Sequence, residues 1–257
     1  MTKSIFGCTD EFPALDDRRH FSADFTLLSN MSAGSYYREK LSASKLQRCY
    51  EIAPARIRQY LAAEIQFVVS QIQGSELVLE LGCGYGRVMK EVSKSVDWMV
   101  GNDISKASLE FAQHYLEGST NCDLCLMDAS HMGFQSRTFD LVFCIQNGIS
   151  AFKANTKKLL AESFRVTKDD GTILFSTYSP KIWDARLDWF RRQANLGLIG
   201  QIDAVQTCEG TIVCEDGFKA TTVTTDQFAD LASEFGVITA IEEIDESSIF
   251  FKVTKEK

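Results

Sequence analysis

Residues 78–88 read VLELGCGYGRV: an apolar run, one acid, then glycines at positions 82, 84 and 86. An apolar strand, a glycine turn and then a helix is the arrangement that holds nucleotide-like ligands at the carboxyl end of a parallel strand. Glycine tolerates positive φ and close backbone approach, and the helix that follows presents free amides. The spacing decides between ligands. A dinucleotide fingerprint, G-x-G-x-x-G, needs its third glycine where this chain has Arg87. Glu80 would also set a carboxylate beside pyrophosphate, whose charge favours a bare helix N-terminus. Both points disfavour a nicotinamide-dependent oxidoreductase.

Outward from this loop, short apolar runs alternate with helical patterns. The runs Leu77–Leu81, Trp98–Asn102, Asp123–Met127, Asp140–Ile145 and Thr172–Thr177 read as strands, with helices near 85–94, 106–117 and 154–166. This alternation predicts a parallel sheet covered on both faces, and right-handed crossovers make it a doubly wound α/β fold. The pattern breaks after Pro180. Residues 181–196 read as an amphipathic helix, and TIVCEDGFKATTV (211–223) as a hairpin turning at Asp216–Gly217. Thr224 and Gln227 have capping-box spacing for a helix running to about Phe235. Val237–Glu243 and Ser248–Thr254 then read as two closing strands joined by a tight turn, hence antiparallel. Before the loop, Pro54 opens and Gly74 closes a helix over 55–72 whose stripe is Ile57, Tyr60, Leu61, Ile65, Val68, Val69 and Ile72. The expected organisation is an N-terminal helical cap over 1–74 and a ligand-binding domain over 75–257. Residues 178–223 form an insertion that covers the substrate.

The chain has 257 residues, 45% of them hydrophobic, which suits one sizeable core. A net charge of −8 and the absence of a long basic run disfavour nucleic-acid binding, so a small-molecule partner is expected. No apolar stretch approaches the roughly 20 residues a membrane-spanning helix needs. The first twenty residues lack the pattern of a secretory signal. The eight cysteines lack framework spacing and read as reduced thiols. A cytoplasmic protein is expected. Cys122 and Cys125 form a lone C-x-x-C, too little for zinc, and no metal is expected.

Taken together, the motifs resemble those of the class I S-adenosylmethionine-dependent methyltransferases. VLELGCGYGR (78–87) matches their first motif, with VGNDIS, CLMDAS and FDLVFCIQNGISAF following in order; LLAESFRVTKDDGTILFSTY resembles their helix, turn and fifth strand. The resemblance covers about 77–177 and the closing strands. It implies a Rossmann-like sheet of seven strands, mostly parallel with an antiparallel last strand, and S-adenosylmethionine as cofactor. The implied cofactor residues are Glu80, Gly82, Cys83, Gly84 and Gly86 in the loop, with Asp103 and Ile104 at the ribose. Asp128 and Ala129 belong at the adenine, and Ile145 and Gln146 near the methyl.

The acceptor is less legible. Tyr36, Tyr37 and Trp183, in the segments that cover the cofactor in this family, and Asn147, in the loop facing the methyl position, are the candidate substrate residues. His114 reads as solvent-facing and His131 as a weak substrate candidate, while His20 lies in a segment without a clear pattern. No residue reads as a catalytic base, and oligomeric state is not legible. The expected activity is methyl transfer to nitrogen or oxygen of a small molecule. A protein or RNA methyltransferase and a non-catalytic cofactor-binding protein are the alternatives.

Overall fold

The computed structural model describes residues 36–74, 76–235 and 239–254. In chain order the elements are α1 (Tyr36–Glu39), α2 (Ala43–Glu51), α3 (Ala55–Ser70), β1 (Leu77–Leu81), α4 (Arg87–Val92), β2 (Trp98–Asp103), α5 (Lys106–Tyr115), β3 (Cys122–Leu126), β4 (Phe139–Cys144), α6 (Thr156–Val166), β5 (Thr167–Tyr178), α7 (Trp183–Asn195), β6 (Thr211–Val213), β7 (Lys219–Thr221), α8 (Thr225–Ser233), β8 (Thr239–Ile244) and β9 (Ser248–Thr254). Seven strands form one sheet in the order β3-β2-β1-β4-β5-β9-β8, and β6 and β7 form a separate ribbon. Strands β1 to β5 pair in parallel, and β9 runs antiparallel to both β5 and β8. This is the Rossmann-like sheet implied by the sequence.

The sheet is buried on both faces, as apolar parallel strands require. Leu79 and Leu81 point into a core that contains Leu159 and Leu160 of α6 and Phe228 of α8. Val78, on the other face, packs with Phe67 of α3, Val88 of α4 and Leu109 of α5. A third core lies outside the sheet and joins the N-terminal helices to the insertion, through Ile57, Tyr60 and Leu61 on one side and Trp189, Phe190, Ile212 and Phe218 on the other. The strand order reverses at β1, flanked by β2 and β4, and opens the crevice where ligands bind in this class of sheet.

Several local expectations meet the structure with differences. The Thr224–Gln227 capping box is present, and α8 ends at Ser233, two residues short of the sequence estimate. The Asp216–Gly217 signal does make a hairpin. Its loop has three residues, because Cys214 N–H bonds to the carbonyl of Phe218 and Gly217 takes φ +92°. A type I turn closed by a left-handed glycine is the usual three-residue solution. The tight turn expected around Asp169–Gly171 lies inside β5, where Asp170 has φ +66° and the register with β4 shifts between Phe139 and Leu141. The start of the eighth strand falls partly outside the described residues, as do His20 and the first 35 residues of the proposed cap.

Candidate functional site

Backbone geometry builds the floor. Gly82 and Cys83 both donate their amides to the carbonyl of Asn102 at 2.9 Å, which pins the loop to the end of β2. Gly82 and Gly84 take φ +73° and +55°, where a side chain would be strained. Gly84 N–H then donates to Asp103 Oδ2 at 2.9 Å, while Oδ1 accepts from Ser105 N–H at 2.7 Å. Asp103 therefore ties the glycine loop to the start of α5. Each of its oxygens keeps a lone pair for a ligand. Burial raises its pKa, and the amides of Ser105, Gly84 and Ile104 oppose the rise. One strand further, Asp128 Oδ1 accepts from both the amide and the hydroxyl of Ser130 at 2.8 Å.

Glu80 is 5% exposed and its Oε2 has no hydrogen-bond partner. Burial pushes its pKa up to about 8, with Asp103 adding to the rise and Arg87 and the Met89 amide opposing it. Asn102 Oδ1, fully buried, is likewise without a partner. Two unsatisfied acceptors in one crevice cost free energy unless a ligand supplies donors. The crevice is open and, mouth included, encloses about 1410 Å³.

Ten of the eleven candidate cofactor residues line this cavity: Glu80, Gly82, Cys83, Gly84, Asp103, Ile104, Asp128, Ala129, Ile145 and Gln146. Gly86 does not. It caps α4 at φ +83°, and a Cβ there would meet the side chain of Leu116 at 3.0 Å.

The substrate candidates separate. Tyr37 and Asn147 line the cavity, whereas Tyr36 and Trp183 do not. The Tyr36 hydroxyl donates to Asp216 Oδ2 in the hairpin at 2.5 Å, and its ring packs edge-on against Phe218. Trp183 lines a separate surface depression with Leu187 and Arg191. Asn147 is a clasp: its Nδ2 donates to Ser150 Oγ and to the carbonyl of Thr221, and its Oδ1 accepts from Thr177 Oγ1. His114 and His131 are both exposed.

The roof is made of α2 and the insertion, each docked on the other. Trp189 Nε1 donates to the carbonyl of Cys49, and Lys40 Nζ to that of Asp216. Tyr50, Tyr178 and Phe190 complete the aromatic wall of the cavity.

Two buried charges escaped the sequence reading. Glu64 is fully buried in α3, and its Oε2 accepts from Gln146 N–H at 2.8 Å while its Oε1 accepts from Ser248 Oγ. It thereby holds Gln146 at φ +59°, beside a second left-handed residue, Asn147. Burial raises its pKa to about 7, against the hydroxyls of Ser248 and Ser176, the Gln146 amide and Arg87. The signal was present: 57, 60, 61, 64 and 68 share one helix face, so an acid sits inside the apolar stripe. Arg186 is 1% exposed, with its guanidinium 4.1 Å from the centre of the Tyr178 ring. Among the described residues, no group of three or more His, Cys, Asp or Glu is placed to hold a metal. No described helix is long and apolar enough to cross a membrane.

Comparison with known proteins agrees with this geometry. Residues 78–171 match the methyltransferase domain family. An uncharacterised protein of Methanocaldococcus jannaschii, MJ1252, is 27% identical over 150 residues, covering 58% of this chain and 54% of that one. The sterol 24-C-methyltransferase of Saccharomyces cerevisiae is 30% identical over 128 residues, covering 48% of this chain and 31% of the enzyme. The chain thus aligns with about half or less of these relatives' lengths. Among solved structures, the N-methyltransferase NodS of Bradyrhizobium japonicum, crystallised with S-adenosyl-L-homocysteine, shares the fold at a TM-score of 0.58 and 11% identity, covering 87% of this chain and 99% of its own. With the motif block, the strand order and the loop geometry in agreement, residues 78–171 form a methyltransferase domain of the class I, S-adenosylmethionine-dependent type.

Proposed function

We propose that the protein binds S-adenosylmethionine in the crevice beside β1 and transfers its methyl group to a nitrogen or oxygen atom of a small acceptor held under the roof. The observation that carries the cofactor assignment is the pair of orphaned acceptors, Glu80 Oε2 and Asn102 Oδ1, in a cavity that Asp103 and Asp128 also line. When bound, S-adenosylmethionine supplies an already activated methyl. Glu80 suits an ammonium group, Asp103 a pair of ribose hydroxyls, and Asp128 an exocyclic amine. Ala129 and Ile104 offer apolar contact to a flat ring.

The chain's contribution to the chemistry is then chiefly placement and exclusion of water. Gln146 and Asn147, both left-handed, present the end of β4 toward the cavity. The cavity-lining tyrosines 50, 85 and 178 have pKa values raised by burial, which makes them poor bases at neutral pH. Neither described histidine lines the cavity. An acceptor that reaches the site already able to attack fits this lining. A roof built from two docked segments over the crevice supports a small acceptor over a protein or RNA chain.

Titration calorimetry with S-adenosylmethionine, S-adenosylhomocysteine and NAD tests the cofactor. Binding of NAD without either sulfur compound would overturn the assignment. A screen of metabolite pools with methyl-labelled cofactor, read by mass analysis, tests the activity. Tight cofactor binding with no labelled product from any pool would favour a non-catalytic binding protein, and label on macromolecules would replace the small acceptor.

A further inference from the structure

The unsatisfied acceptors, Glu80 Oε2 and Asn102 Oδ1, lie at the strand ends. The unsatisfied donors are Gln146 Nε2, just after β4, Arg87 Nη2, at the start of α4, and Arg186 Nε, on α7 behind the wall. The acids that line the cavity, Glu80, Asp103 and Asp128, likewise stand at the strand ends. Three acids against one cation, Arg87, favour a positive group at the floor, and the cation behind the roof wall is Arg186.

Arg186 is the centre of the roof end. Its Nη1 donates to Thr222 Oγ1 at 2.9 Å and, at 3.5 Å, to the carbonyl of Gly210, and its Nη2 donates to the carbonyl of Ala220 at 3.1 Å. Every one of these partners is neutral. Three rings surround it: Tyr178 at 4.1 Å and Trp183 and Phe190 at 5.8 Å. It forms no ion pair with a carboxylate among the described residues. Tyr178, Phe190 and Ala220, all in contact with Arg186, are themselves part of the cavity wall. A guanidinium at 1% exposure without a counter-charge is costly, because rings and carbonyls offset only part of the lost hydration. Burial accordingly lowers its pKa.

Resting on the reading of the crevice as the cofactor site, we infer that the methyl acceptor is a small carboxylic acid whose anionic end lies against the Tyr178–Phe190–Ala220 wall, with Arg186 as counter-charge behind it and Gln146 Nε2 as a donor. The apolar body of the acid packs on Leu41, Leu46 and Tyr50. Protonated amines are excluded from that end by the same charge. Arg186 acts through the wall, so it is a specificity-determining residue and touches no reacting atom.

The test uses the full chain saturated with S-adenosylhomocysteine. Heat on loading this compound checks the cofactor reading separately, and its absence counts against that reading alone. A panel of small aliphatic and aromatic carboxylic acids, each paired with its primary amide and its primary amine, is then titrated calorimetrically. The expected result is at least one acid bound about tenfold or more tighter than its amide, with the amine weakest. Arg186→Lys should retain the preference for the acid and Arg186→Gln should lose it, each still binding S-adenosylhomocysteine as proof of folding. Equal binding of acids and amides, preference for amines, or no acid bound by the loaded protein would overturn the inference. If Arg186→Gln does not fold, the wild-type panel still decides.

Discussion

The floor and the roof of the cavity are built by different physics. At the floor, glycines and backbone amides do the positioning. Gly82, Cys83 and Gly84 reach only as far as Asn102 and Asp103, and the whole device spans about one β-α-β unit. At the roof, side chains far apart in sequence hold each other. Tyr36 reaches Asp216, Trp189 reaches Cys49, and Asn147 reaches Thr221. Local backbone geometry fixes a shape that one ligand class fits, whereas a roof assembled from long-range side-chain contacts is free to differ in shape between relatives. On the proposed reading, the floor holds the cofactor and the roof selects the acceptor.

That contrast breaks most sharply at Asp103. Replacing it with alanine removes the acceptor for Gly84 N–H and Ser105 N–H, together with the proposed contact to ribose hydroxyls. Hydrogen bonds to a charged group contribute about 1.5–3 kcal/mol each, so affinity for S-adenosylhomocysteine should fall about a hundredfold. Calorimetry on the folded variant checks this. Unchanged affinity would mean that the floor does not depend on its one long side-chain tie.

Glu64 joins the two regions, and its pH dependence sharpens the comparison. Its pKa rises on folding from an ordinary value of 4.5 to about 7. A raised carboxyl favours folding while it is neutral, so this contribution is complete below pH 4.5 and is lost as pH climbs through 7. The loss is on the order of 3 kcal/mol in the ligand-free protein. Denaturant unfolding between pH 5 and 8 should show stability falling with pH in the wild type and a flatter curve in Glu64→Gln. Glu80, raised to about 8, adds a fall that starts in the same range and continues to about pH 8, which the variant retains. Identical curves would assign the effect to other groups.

What the sequence makes legible follows the same division. The alternation of apolar runs and the glycine spacing are local signals, and they locate the sheet and the loop, while the ten cavity-lining residues follow from the family resemblance of the motifs at the strand ends. Trp183 and Tyr36 are aromatic residues in segments that do cover the cavity, but which way a ring points depends on partners far along the chain. Tyr36 turns to Asp216, 180 residues away, and Tyr37 next to it lines the cavity. Glu64 and Arg186 were hidden for a related reason. A charge on an amphipathic helix normally marks the wet face, and only the third core, formed by two distant segments, puts Arg186 inside.

At Asn147 the roof meets the sheet. Its side chain makes three hydrogen bonds that hold β7, β5 and the segment after β4 together, and its φ of +59° suits asparagine better than alanine. Asn147→Ala should cost about 2 kcal/mol of stability and raise hydrogen exchange in 211–221 more than in the glycine loop. Uniform loosening of both regions would show that roof and floor unfold as one unit, against the comparison drawn above.

The smallest effect is expected at a half-buried tie of the roof. Tyr36→Phe removes the hydroxyl bonded to Asp216 and keeps the ring against Phe218. That bond sits at the rim, where water replaces a lost partner, so stability should fall by no more than about 1 kcal/mol. Floor and cofactor affinity should be untouched, because Tyr36 contacts neither the loop nor the strand ends that hold it. The acceptor side is the informative readout: with the hairpin less firmly docked, a bound acid should dissociate faster while S-adenosylhomocysteine does not. Stopped-flow displacement of each ligand from the same variant measures both rates, and equal acceleration of the two would mean that closing the roof retains the cofactor as well as the acceptor.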